Sequence, residues 1–306
     1  MRVALIEMGS TSFRLTIETG RDTQHRIHHL NLGSSVSSNG SFTESDIAAA
    51  TGVVAEFMTA AKVHNCQRIA AVATEAFRLA ANGEAVAAHI AREAGCEVKI
   101  LSPTEENILT WRAVANRFAD VDVLFAVAVT GGSVGVSGGP IGSQVPLHNF
   151  SYPLGTSVLA PRASEDGYID TSTRVRLEHH IAENLKPVGV VAKDHDVRRF
   201  VVTGGMPLAL AKLIHTLRRS EVPERLDGLS IDCSDLGHLI KTFAELSIPA
   251  RLALPGMSSK RSMNMALGAT ILRQVLRSLD IHATTVSSAG LREGLLSRLH
   301  ADVEAA

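Results

Sequence analysis

The stretch from Leu124 to Val136, LFAVAVTGGSVGV, restricts the fold more than any other part of the chain. An apolar run, a tight turn at Thr130-Gly131-Gly132 and a second apolar run read as two core strands folded back on one another. Consecutive backbone N–H groups in such a turn form a concavity that suits an anion. The turn carries no acid of its own, because no Asp or Glu occurs between Asp122 and Glu165. The same design opens the chain: Arg2 to Glu18, RVALIEMGSTSFRLTIE, gives a strand, a turn at Gly9-Ser10-Thr11 and an alternating return through Phe13, Leu15 and Ile17. Two like units heading two halves predict an α/β chain of two related lobes, expected at 1–118 and 119–288.

Between these hairpins the pattern predicts a strand over 27–32, a Ser-rich loop over 33–40, and a helix to about His64 opened by a Thr43/Asp46 capping box. A buried strand at 68–74, a turn over 75–83, a helix over 85–94 and a strand over 97–101 follow. Ser102 as N-cap, Pro103 in the first turn and Glu105 three residues on form a second capping box. That accounts for Glu105 and leaves Glu106 unexplained. In the second half, strands are expected over 144–149, 199–205 and 284–287. Helices are expected over 157–161, 171–184, 207–218, 234–246 and 262–279, with a last one from Ala289. The strand ending in Gly204-Gly205 delivers backbone N–H groups to a helix start, a geometry that attracts phosphate as readily as it makes a simple turn.

Composition excludes several classes. Hydrophobic residues make 45% and charged residues 20% of the 306 positions, a globular balance, and no apolar run reaches the roughly 18 residues of a membrane helix. Glu7 interrupts the start too early for a signal peptide, so a cytoplasmic protein is expected. A formal net charge of -1 gives no global attraction to nucleic acid or to a membrane, so any anion site is local. The basic residues are mostly Arg, whose planar fork matches phosphate oxygens. Cys66, Cys96 and Cys233 are too scattered for disulfides or structural zinc. His25, His28, His29, His179 and His180 lack the spacing of a helical metal pair.

Four separated stretches carry a resemblance: Ile6 to Leu15 (IEMGSTSFRL), Val72 to Arg78 (VATEAFR), Thr130 to Ser133 (TGGS) and Ser287 to Leu295 (SSAGLREGL). In that order they resemble the exopolyphosphatase and guanosine pentaphosphate phosphatase family, Ppx/GppA. The resemblance implies an actin-like fold, related to sugar kinases and Hsp70, with a phosphate cleft between two α/β lobes and a final helix, 289–306, packing back on the first. It also implies hydrolysis of a terminal phosphoanhydride with a divalent cation, usually magnesium. The expected partner is inorganic polyphosphate or guanosine pentaphosphate, with neither nucleic acid nor membrane, and a homodimer stays open. Carried over residue by residue, Glu106 becomes the general base and Glu7 the first-turn acid, a candidate metal ligand. Gly9, Ser10, Thr11 and Gly131, Gly132, Ser133 become the phosphate turns. Arg14 and Arg78 become substrate clamps and Arg261 a further basic position, while Gly204 and Gly205, read from the residues alone, suit a structural turn and a phosphate contact equally well.

The departures from that pattern are all acids. Glu7 replaces an Asp, lengthening the side chain by one methylene, while Ala128, Gly135, Leu79 and Met263 stand where the family has carboxylates. A magnesium site stripped of its carboxylates should be weak. Two functions remain open on sequence: a phosphohydrolase with weak or lost activity, and a catalytically silent homologue that binds such anions as a regulator.

Overall fold

The computed structural model describes residues 2–304 except 21, 144, 164–167, 195–198, 220, 222 and 258–261. Its chain divides into two compact units, Met1–Glu106 with Leu291–Ala306, and Asn107–Gly290.

In the first unit, β1 (Arg2–Met8), β2 (Ser12–Thr19) and β3 (Asp22–His29) form an antiparallel meander. Helices α1 (Leu32–Asn39) and α2 (Glu44–Val63) follow. Then come β4 (Arg68–Ala73), α3 (Glu75–Leu79), α4 (Gly83–Ala94), β5 (Val98–Ile100) and α5 (Pro103–Arg117), within which the division falls. The sheet order is β3-β2-β1-β4-β5, with β1, β4 and β5 parallel. Strand alternation places Ala4, Ile6 and Met8 of β1 and Phe13, Leu15 and Ile17 of β2 in one core with Val54 and Phe57 of α2, Phe77 and Ile90. Val3, Leu5 and Glu7 therefore share the opposite face.

The second unit contains the Leu124 to Val136 hairpin as β6 (Val123–Val129) and β7 (Val134–Pro140), followed by β8 (His148–Tyr152), α6 (Thr156–Leu159) and α7 (Thr171–Asp194). Next are β9 (Arg199–Thr203), α8 (Gly205–Arg219), β10 (Ser230–Asp232), α9 (Cys233–Glu245), α10 (Ile248–Leu252), α11 (Met265–Ser278) and β11 (Ala283–Ser287). These strands run β10-β11-β9-β6-β7-β8 across the sheet. The last helix, α12 (Leu291–Glu304), belongs to the first unit and packs on β1 and β4. Among the described residues no helix is long and apolar enough to cross a membrane.

Several local expectations are corrected. The Ser-rich segment read as a loop over 33–40 is α1: its serines are indifferent helix formers, but Leu32, Gly33 and Val36 are buried, and that packing outweighs propensity. The strand expected over 27–32 is earlier, because the N–H groups of Leu30 and Asn31 turn to Thr11 O instead of a ladder. The turn over 75–83 contains α3, and α7 runs on through Pro187 with Leu185 and Val188 buried. The strand expected over 144–149 is β8, displaced toward Tyr152; Gln144 lies outside the described residues. The Thr43/Asp46 capping box closes as expected. At Ser102 only half a box forms: its hydroxyl accepts the Glu105 N–H at 3.2 Å, while the Glu105 carboxylate turns to Lys99 and Arg298.

Candidate functional site

Parallel strands deliver their following segments to one edge of a sheet, the usual place for a site in an α/β unit. In the first unit the carboxyl ends of β1, β4 and β5 lead into the Gly9–Thr11 turn, into α3 with Glu75 and Arg78, and into α5 with Glu106. The Thr74 N–H donates to Met8 O at 3.2 Å and the Leu101 N–H to Ala73 O at 2.9 Å, which aligns the three strand ends. The turn is closed by the Gly9 N–H on Ser12 O at 3.1 Å and backed by α1, whose Gly33 N–H donates to Ser10 O at 2.7 Å. The Ser10 hydroxyl is buried and finds no partner among the described residues. An orphaned buried hydroxyl costs about 1 to 3 kcal/mol, so a donor at this turn still wants an acceptor.

Arg78 is the centre of this edge. Its Nε donates to Glu75 Oε2 at 3.1 Å, and its Nη2 makes a second contact with the same carboxylate oxygen. Its Nη1 donates to Leu101 O at 2.5 Å and to Glu106 Oε1. The residue expected to clamp substrate is thus fixed between two acids. Glu106 is largely buried, and loss of water pushes its carboxyl up to about 7 against the opposing pull of Arg78. A glutamate so tuned exchanges its proton near neutrality, the property a general base needs.

Glu7 is placed differently. Its carboxylate accepts from Arg292 Nε of α12 at 3.1 Å, and Arg14 lies directly opposite it on β2. Burial raises the Glu7 carboxyl above the ordinary range, while Arg292 and Arg14 pull it down. Two further pairs hold α12 to this unit: Arg298 with Glu105 at 2.8 Å and His300 with Glu18 at 2.6 Å. Arg292 also pairs with its neighbour Glu293 at 3.4 Å.

In the second unit the turn between β6 and β7 is tied within itself, with the Thr130 N–H on Ser133 O at 3.0 Å and the Ser133 N–H on Thr130 Oγ1 at 3.0 Å. The carbonyls of Thr130, Gly131 and Gly132 accept from Thr156, Ser157 and Gly155. Ala128 and Gly135 face each other across the ladder. The space over Gly135 is taken: a Cβ there would stand 2.2 Å from Asn107 Oδ1. The Asn107 amide is buried and donates from Nδ2 to Asn149 Oδ1 and to Phe150 O, each at 2.7 Å. A neutral carboxamide thus fills the room that a side chain at 135 would need. Gly204 has φ of +113° and would put a Cβ 2.3 Å from Val129 O, so glycine is required there by the backbone alone. Gly205 opens α8, and Arg261 lies outside the described residues.

These donors do not make a dedicated magnesium site. The Glu7 carboxylate is taken by Arg292 and that of Glu106 by Arg78, Ala128 and Gly135 bring no side-chain oxygen, and no group of three or more His, Cys, Asp or Glu able to hold a metal occurs among the described residues. Three participants escaped sequence reading: Glu75, Asn107 and the Arg292–Glu7 pair. Only Glu75 left a signal, its spacing of three from Arg78 along a helix.

Comparison with known proteins bears on the fold and the family. The chain is 26% identical to exopolyphosphatase 1 of Mycobacterium tuberculosis, over 97% of its own length and 88% of that protein. It is 23% identical to exopolyphosphatase 1 of Mycobacterium leprae, over 97% and 89%. Its fold matches an exopolyphosphatase from Cytophaga hutchinsonii with a TM-score of 0.85 at 22% identity, covering 98% and 97% of the two chains. It also matches the Aquifex aeolicus member of the Ppx/GppA family with a TM-score of 0.77 at 25% identity, covering 99% and 98%. The architecture is the actin-like α/β fold that the motifs implied. The profile of the Ppx/GppA phosphatase family matches residues 21–302, so the chain belongs to that family.

Proposed function

We propose that the protein is a slow phosphohydrolase acting on the terminal phosphoanhydride of inorganic polyphosphate or guanosine pentaphosphate, with Glu106 as its base. The observation that carries this reading is Glu106 itself, buried at the start of α5 with its carboxyl at about 7. In the proposed step, water attacks the terminal phosphorus and passes a proton to the Glu106 carboxylate. The bond to the bridging oxygen breaks, and that oxygen leaves on the shortened chain with the electron pair. Arg14 and the Gly9–Thr11 turn, with the unpartnered Ser10 hydroxyl, supply phosphate contacts on the first unit. No step runs through a metal.

One observation favours the silent alternative. Glu7 and Glu106 are both tied to arginines, and the second turn has no acid, so binding survives more easily than chemistry. The deciding experiment measures phosphate release and binding on the same sample, with inorganic polyphosphate and guanosine pentaphosphate in turn. Loss of a positioned base lowers the rate by about 10²- to 10⁴-fold, so Glu106→Gln should abolish slow release while binding persists. Release that Glu106→Gln leaves intact would sink the assignment, and binding without release in the unaltered protein would establish the alternative.

A further inference from the structure

Arg78 has five N–H donors in a rigid fork, and how they are shared decides what Glu106 can do. Glu75 holds the Nε and Nη2 side of the fork, and Leu101 O and Glu106 divide Nη1. Glu106 therefore meets the guanidinium through one nitrogen only. Without Glu75 the fork would be free to rotate and offer Glu106 the bidentate grip that carboxylates prefer, which would hold it as a permanently neutralised ion.

We propose that Glu75 is a positioning residue: by occupying the Nε and Nη2 edge of Arg78 it confines Glu106 to a single contact and keeps Glu106 able to accept a proton.

The charge count supports this. One guanidinium serves two buried carboxylates, with side-chain exposures of 10% for Glu75 and 13% for Glu106. With both carboxylates charged, one negative charge is left in excess, and burial favours protonation of Glu106. Arg78 lowers the proton affinity of Glu106 and Glu75 raises it. The neighbouring Glu105 is turned away onto Lys99 and Arg298. The position of Glu75 in the chain suits this role, since it opens α3 directly after β4 and its spacing of three from Arg78 brings both onto one face. The catalytic meaning of the inference rests on Glu106 being the base; the electrostatic content does not.

The test separates the two. A carboxyl ¹³C NMR titration of glutamate-labelled protein from about pH 5 to about pH 9 follows Glu106, assigned by its loss in Glu106→Gln. The native midpoint should lie at about 7. Glu75→Gln should lower it by about one unit or more, a tenfold loss of proton affinity, and Arg78→Met should raise it. Glu75→Asp, which keeps the charge one methylene further back, should fall between native and Glu75→Gln, and it reads the same shift if Glu75→Gln does not fold. Where the protein releases phosphate, the acid limb of the rate profile should move with the midpoint. A midpoint that stays put in both Glu75 variants overturns the proposal. Absence of phosphate release beside a shifted midpoint overturns only the assignment of Glu106 as base.

Discussion

Restoring an acid at position 135 is the obvious way to strengthen a weak phosphatase, and the structure says that it will fail on its own. Even Gly135→Ala places a Cβ 2.2 Å from Asn107 Oδ1, a distance no real contact tolerates. The Asn107 carboxamide can swing aside, but only by giving up its two hydrogen bonds, to Asn149 Oδ1 and Phe150 O. At about 1 kcal/mol each, with two acceptors then left short of a donor, Gly135→Ala should destabilise the protein by about 2 to 4 kcal/mol. Asn107→Ala alone loses the same bonds and should cost a similar amount. In the double variant the collision is absent and the bonds are already gone, so Gly135→Ala should add little. The cycle should show a coupling of about 2 kcal/mol. Urea denaturation of the four proteins measures it, provided the slopes agree. A Gly135→Ala cost under about 0.5 kcal/mol, or strictly additive costs, would refute the claim that Asn107 occupies the vacated space. If the coupling is found, Gly135→Glu with Ala128→Asp should raise phosphate release only once Asn107 is trimmed.

Three other outcomes are expected. The Glu106 carboxyl is raised in the folded state, so its stabilisation is full below its ordinary value of 4.5 and lost as pH climbs through about 7. Thermal denaturation should show a fall of about 3 kcal/mol across that window, which Glu106→Gln flattens, while phosphate release rises through the same window as the base ionises. Arg14→Ala should weaken polyphosphate binding by about 1 to 3 kcal/mol, with added salt weakening it further; unchanged affinity in titration calorimetry would remove Arg14 from the site. Gly204→Ala should lose about 2 kcal/mol or more by urea denaturation, because its Cβ meets a backbone oxygen 2.3 Å away at a φ of +113°; a neutral effect would show that the turn can relax.

What the sequence made legible was local. Both hairpins follow from alternation and a glycine turn, and the Thr43/Asp46 cap from four consecutive residues. What it hid depended on distant partners. The α1 helix exists because its Gly33 N–H reaches Ser10 O and Val36 is buried, neither of which a run of serines announces. The pair of acids holding Arg78 was not apparent as a set, because Glu75 lies beside it in α3 while Glu106 arrives from α5. The Arg292–Glu7 pair joins residues 285 positions apart. Asn107 could not be connected with Gly135 until α5 and β7 were seen to share one pocket of space.

The acids that remain and the acids that are gone obey one rule. In the first unit the retained carboxylates are tied to cations: Glu7 to Arg292, Glu75 and Glu106 together to Arg78, Glu105 to Lys99 and Arg298. Removing one partner from the buried Arg78 set strands the others, at a cost of about 3 to 5 kcal/mol, whether or not they do chemistry. The second unit's hairpin has no such tie. At 128 and 135 the side chains are small, and the carboxamide of Asn107 fills the gap with two neutral hydrogen bonds. A carboxylate there would stand against a neutral amide, which can donate hydrogen bonds but brings no compensating charge. The ion-paired arginines Arg78 and Arg292 therefore have a structural role, and their presence is weaker evidence for turnover than the protonation behaviour of Glu106.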